Sequence, residues 1–109
     1  MAIIKLVKND TRPSLRFTCK DDDDNIIDLS TATKIYFIFK KFGEDEEKFK
    51  KECTIISPTE GIIQYSWEED DLDESGQFEG EIEIDFSDGT KQTCVDKILF
   101  NIRNDLDNN

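Results

Sequence analysis

The sequence predicts an all-β fold, an antiparallel immunoglobulin-like β-sandwich of about seven to eight strands, and three observations predict it. Apolar residues alternate with polar ones at a period of two along most of the chain. Turn signals recur between the alternating runs, and no strand–helix–strand pattern is present. At 109 residues there is room for one two-layer core. A single sandwich domain is expected over 1–103, followed by a flexible tail over 104–109 at the end of "RNDLDNN".

The first strand is expected at Ile3 to Val7, and a second in "SLRFTCK", where Leu15, Phe17 and Cys19 oppose Arg16 and Thr18 just after Pro13. An acidic turn, "KDDDDN", then leads to a short "IIDL" segment. In "TKIYFIFKKF", Ile35, Phe37 and Phe39 face one way and Tyr36 and Ile38 the other, so apolar contacts on both faces predict a central strand. "FGEDEEKFKK" reads as a charged, mobile loop. "EEKFKKECTII" and "GIIQYSW" are expected to pair as a hairpin turning at Pro58 to Gly61, with Tyr65 and Trp67 on its inner face. "WEEDDLDESG" is at most one short helical turn near 68–75, crossing between sheets.

The clearest strand is "GQFEGEIEIDF". Phe78, Gly80, Ile82, Ile84 and Phe86 share one face, and Glu79, Glu81, Glu83 and Asp85 the other. "SDGT" supplies an Asp-Gly turn, so "TKQTCVDKILFNI" should return antiparallel with Ile98, Phe100 and Ile102 on the core side. The acidic row predicts a strongly negative outer face that keeps subunits soluble or meets a basic partner.

Composition narrows function. Fourteen Lys and Arg against 26 Asp and Glu give a formal charge of −12, which repels phosphate backbones and anionic lipid, so neither nucleic acid nor membrane is an expected partner. The absence of histidine removes the commonest general base and transition-metal ligand. Cys19, Cys53 and Cys94 are widely spaced and odd in number, which fits buried reduced thiols in a cytosolically made chain rather than a disulfide framework or zinc site. The N-terminal apolar run is too short for a signal peptide, and no run is long enough for a membrane-spanning helix.

Two acidic clusters are candidates for chemistry. Asp21, Asp23 and Asn25 match the first half of an EF-hand loop, but Ile26 stands where that loop needs glycine and Ala32 where it needs the bidentate glutamate. Asp and Asn also close tight turns with their own side chains, which makes this run a solvated hairpin tip. "EEDDLDE", Glu68 to Glu74, meets the N-terminal side of a helical turn favourably without any ligand. Cys19 and Cys94 alternate in register with apolar residues and have no histidine to activate them. Tyr65 and Trp67 could stack on a sugar, but their alternation places them in the core. No catalytic residue, cofactor or enzyme activity is expected. The competing expectation is a calcium- or carbohydrate-binding module using the acidic loops.

The order of "KNDTRPSLRFTCKDDDDNIIDLSTATKIYFIF" and "GIIQYSWEEDDLDESGQFEGEIEIDFSDGTKQT" resembles the N-terminal domain of phage baseplate upper proteins. The shared order is a short leading strand, a polar-Pro entry into "LRFT", an acidic turn, a long apolar strand, an acidic crossover and an alternating Phe-x-Gly-x-Ile strand. That resemblance implies an immunoglobulin-like module of a virion, made in the host cytoplasm, that docks onto other phage structural proteins, with a homo-oligomer a natural state. Relatives commonly continue into a long C-terminal extension, whereas this sequence stops within about ten residues of its last strand, so a stand-alone accessory role is expected in place of anchoring a receptor binder. The family implies no catalytic residues.

Overall fold

The computed structural model describes residues 3–94 and 97–106. Its strands are β1 (Ile3–Val7), β2 (Leu15–Thr18), β3 (Ala32–Lys41), β4 (Phe49–Glu52), β5 (Thr54–Ser57), β6 (Ile62–Tyr65), β7 (Gly76–Phe86), β8 (Lys91–Thr93) and β9 (Ile98–Arg103). They form two sheets. The larger runs β1-β9-β7-β3-β4, with β8 also paired to β7, and the smaller runs β2-β6-β5. Among the described residues there is no helix, and 68–75 is a succession of turns closed by the Asp71 N–H donating to the Glu68 carbonyl at 3.1 Å.

The all-β, two-sheet architecture is as the alternation predicts, and three details depart from it. "EEKFKKECTII" is two strands, not one. Residues 49–52 pair with β3 in the larger sheet and 54–57 with β6 in the smaller, so the chain changes sheet at Cys53. Cys53 N–H still donates to the Ile35 carbonyl at 2.8 Å, the last bond to the larger sheet, while Thr54 already stands opposite Gln64. The return strand after the Asp-Gly turn is also divided. β8 pairs with Glu83 to Asp85 and β9 with Gly76 to Gly80, both on the same edge of the 11-residue β7. Finally, β1 lies parallel to β9, although every other strand pair is antiparallel. A parallel neighbour needs a long connection; here the whole sandwich lies between the two strands.

The core is aromatic because the inward row of β3 meets the inward rows of every neighbouring strand. Phe37 is fully buried, with Phe17, Phe49, Tyr65, Trp67 and Phe100 around it at centroid separations of 4.9 to 6.2 Å. Phe39 stacks on Phe78 at 4.8 Å. Each such pair adds roughly 0.5–1.5 kcal/mol to the area it buries. Leu15, Ile35, Phe39, Tyr65, Trp67, Phe78, Ile82, Ile84 and Phe100 are buried with them, whereas Phe17, Phe86 and Ile98 sit at the margin and are only partly covered, because each lies near a strand end or sheet edge. Gly80 lets two rings in: a Cβ there would stand 2.6 Å from Phe37 Cε1 and 2.9 Å from Phe100 Cε2. Glycine in mid-strand is explained by this close approach.

"IIDL" is not a strand. Only an isolated bridge, Lys20 to Ile26, closes the acidic turn, after which Ile27 and Leu29 bury their side chains while Ile26 stays about half exposed. Gly61 makes room for this segment. It takes φ +68°, and a Cβ there would lie 2.8 Å from the Ile27 carbonyl oxygen.

Candidate interaction surfaces

Four surface features gather charged or exposed apolar residues. The first is the tetra-aspartate tip. Asp21 Oδ1 accepts from the Asp23 and Asn25 N–H groups, each at 2.9 Å, and Asp24 takes a left-handed φ of 66°. Asp21 thus builds the turn with its own carboxylate, as short polar side chains do at tight corners. The carboxylates of Asp21, Asp22 and Asp23 lie within 4.8 Å of one another, and Asn25 contributes its backbone N–H to the turn. Lys20 Nζ, 3.6 Å from Asp24, offsets part of the charge.

The second feature is the 68–75 crossover, in which Asp71 is the buried charged residue among the described residues, 3% exposed. Its carboxylate is fully engaged. Lys51 Nζ reaches Oδ1 at 2.6 Å, and Tyr65 Oη and the Glu68 N–H both donate to Oδ2. Lys51 can do this because it shares the inward face of β4 with Phe49, over whose ring it passes at 5.0 Å. The ion pair holds the lysine above its ordinary pKa, chiefly through the bond to Asp71. Burial, and then the bond to Asp71, push the Tyr65 hydroxyl well up. The arrangement anchors an acidic loop to the core; it leaves no carboxylate oxygen of Asp71 available for other chemistry.

The third is the outer face of the larger sheet, and here the expectation of a strongly negative face is corrected. Glu79 lies 3.3 Å from Lys40 and 3.8 Å from Lys97, and Glu83 lies 3.1 Å from Lys50 and 3.2 Å from Lys91. Asp85 stands 3.6 Å from Lys91, and Lys34 pairs with Glu52 at 3.1 Å. Lysines from β3, β4 and β8 and from residue 97 therefore interleave with the acidic row of β7 as cross-strand pairs. Lys50 Nζ first, and Lys91 after it, hold Glu83 below the usual carboxylate range. Glu68, Asp71, Asp73 and Glu74 of the crossover are paired with Lys51, Lys48 and Lys41. Among the described residues, the carboxylates outside these ion pairs therefore include Glu81 on this face and, at the loop ends, Asp21, Asp22, Asp23, residues 44–47, Glu69 and Asp70.

The fourth is an apolar groove of about 190 Å³ across β1, β9 and β7, formed by Ile3, Phe42 and Leu99 beside Gln77 and Asn101. Ile3 is 52% and Phe42 58% exposed. Both belong to segments whose alternation alone does not tell the outer face from the inner one. Sequence reasoning singled out neither of them. Phe42 sits in the turn after β3, where its N–H donates to the Gln77 carbonyl at 2.9 Å.

None of the candidate residues at positions 21, 23 and 25 meets a residue of 68–74 in a hydrogen bond or ion pair among the described residues, so the acidic clusters do not form one site. Comparison with curated proteins gives no match. The family model for the BppU N-terminal domain, the N-terminal domain of the baseplate upper protein, matches residues 2–109, nearly the whole chain. This chain belongs to the BppU N-terminal domain family, and with it to the structural proteins associated with phage baseplates.

Proposed function

We propose that the chain is a non-enzymatic structural module of a phage particle, forming one sandwich domain over 1–103 that docks onto other baseplate or tail proteins through protein–protein contacts. The match to the baseplate family over residues 2–109 carries this reading. Two surface observations support it. Charge on the broad outer face is compensated internally, so that face needs no ionic partner to be stable, while Ile3 and Phe42 leave apolar surface exposed in a groove of the kind protein contacts cover. The acidic loop ends supply steering rather than a catalytic pair: Asp71 is committed to Lys51 and Tyr65, and Asp21 to its own turn.

Immunogold labelling of purified virions with an antibody against this chain tests the proposal. Label at the tail tip, together with the chain in the virion proteome, is the expected result. A particle that forms and infects without the chain in it would overturn the reading.

A further inference from the structure

Cys19 follows β2 in the smaller sheet, and Cys94 follows β8 in the larger one, 75 residues apart in sequence. The fold brings them together. Both line a cleft of about 140 Å³ with Phe17, Lys20 and Ile82, where Cys94 is a close neighbour of Cys19. Their backbones are fixed on either side: Cys19 N–H donates to the Gly61 carbonyl at 2.8 Å and Cys94 N–H to the Ile82 carbonyl at 2.9 Å. All three cysteines of the chain are reduced in this structure, Cys19 buried and Cys94 half-buried at the cleft.

We propose that Cys19 and Cys94 are an oxidisable dithiol that closes into a disulfide between the two sheets, with a small neutral disulfide as oxidant. The half-buried Cys94 sulfur attacks one sulfur of the oxidant, breaking its S–S bond and releasing one small thiol. Cys19 then attacks the Cys94 sulfur of the mixed disulfide, the second small thiol leaves, and the protons of the two cysteines pass to the two departing thiols. Two electrons move from the protein to the oxidant, and the account balances. The neighbouring Cys94 and, after it, burial hold the Cys19 thiol far above its ordinary range, so Cys19 stays protonated, and a reducing cytosol keeps the thiols unpaired. A cross-link made across the sheets constrains a long loop of the unfolded chain, where the gain in stability is largest. The setting, release of a particle from a reducing cell into an oxidising medium, rests on the virion reading, whereas the cross-link itself does not.

The experiment uses the folded wild-type chain, treated with 2-hydroxyethyl disulfide at mildly alkaline pH under native conditions and mapped by non-reducing peptide mass spectrometry. A Cys19–Cys94 cross-linked peptide is expected, with a melting temperature raised by at least ~5 °C that returns to the starting value on reduction. Cys53→Ser should leave this result intact and Cys94→Ser should remove it. Mixed disulfides alone, a cross-link through Cys53, or a cross-linked protein no more stable than the reduced one would each overturn the proposal. Absence of the chain from virions would remove only the setting.

Discussion

The hydroxyl of Tyr65, at the end of β6, donates to the carboxylate of Asp71, buried in the crossover that follows. Two consecutive segments are thereby tied at the point where the chain leaves the smaller sheet for the larger one. Lys51, from the edge strand β4, closes the other side of the same carboxylate. An inward-pointing charge on an edge strand is also a device against edge-to-edge aggregation, and here it has a partner waiting for it.

Asp71→Ala orphans the Tyr65 hydroxyl and the Glu68 N–H together, and should cost about 2–3 kcal/mol. Tyr65→Phe removes one donor and leaves the carboxylate with Lys51, for about 1–2 kcal/mol. Lys51→Ala should fall in the same range, below the usual cost of breaking a buried pair, because the lysine side chain is 34% exposed. Urea unfolding of the three single variants measures this. Equal losses from all three, or none from Asp71→Ala, would contradict the arrangement.

Gly80→Ala should destabilise by about 1–3 kcal/mol, because the added methyl meets the rings of Phe37 and Phe100 well inside contact distance. Both neighbours are rigid aromatics in a filled core, so neither can give way cheaply. A near-UV circular dichroism spectrum altered alongside a lower urea midpoint is the expected signature, and an unchanged midpoint would show that the rings have room to move.

Local pattern carried most of the fold and little of the surface. The inward row of β7 was legible because Phe78, Gly80, Ile82 and Ile84 alternate without interruption on one long strand. The change of sheet at Cys53 was not, since Phe49, Lys51, Cys53 and Ile55 continue in phase through it, and only pairing to β3 before and β6 after decides which sheet each half joins. The compensation of Glu79 and Glu83 escaped for the same reason: their lysines come from separate segments of the chain, and a single acidic row looks uncompensated until its neighbours are known. In "EEDDLDE" nothing distinguishes Asp71 from the carboxylates around it except the direction in which the folded turn points it. The meeting of Cys19 with Cys94 is likewise a property of the two sheets, invisible in the spacing.

Stability should be flat through neutral pH and fall on both sides. Glu83, held low by Lys50 and Lys91, favours the folded state fully above its ordinary value of 4.5, and that contribution is lost as the pH falls from there through the lowered value. Asp28 and Asp88 act in the same direction through the Ser30 and Thr90 hydroxyls and N–H groups. On the alkaline side the raised groups lose their contribution as the pH climbs past their ordinary values. Cys53, pushed up to about 12 by burial, begins above 9.0, followed by Tyr65 above 10.0 and Lys51 above 10.5. Urea midpoints across pH 3 to 11 should trace this plateau, roughly. Glu83→Gln should blunt the acid limb by about 1 kcal/mol, a small figure because the lysines remain partly solvated; an acid limb unchanged by that substitution would place the loss elsewhere.

The tip "DDDD" separates two roles that identical side chains can play. Asp21 accepts two backbone N–H groups and fixes the turn, so Asp21→Ala should cost about 1 kcal/mol and loosen residues 22–25. Asp22 shows no backbone bond of this kind among the described residues, and Asp22→Ala removes the same charge at the same tip. Comparing the two isolates turn-building from charge. Amide hydrogen exchange should quicken at Asp23 and Asn25 in the Asp21 variant and stay unchanged in the Asp22 variant. If both variants behaved alike, the carboxylates would be acting through their shared field, and the turn would owe its shape to the Lys20 to Ile26 bridge and the left-handed Asp24 alone.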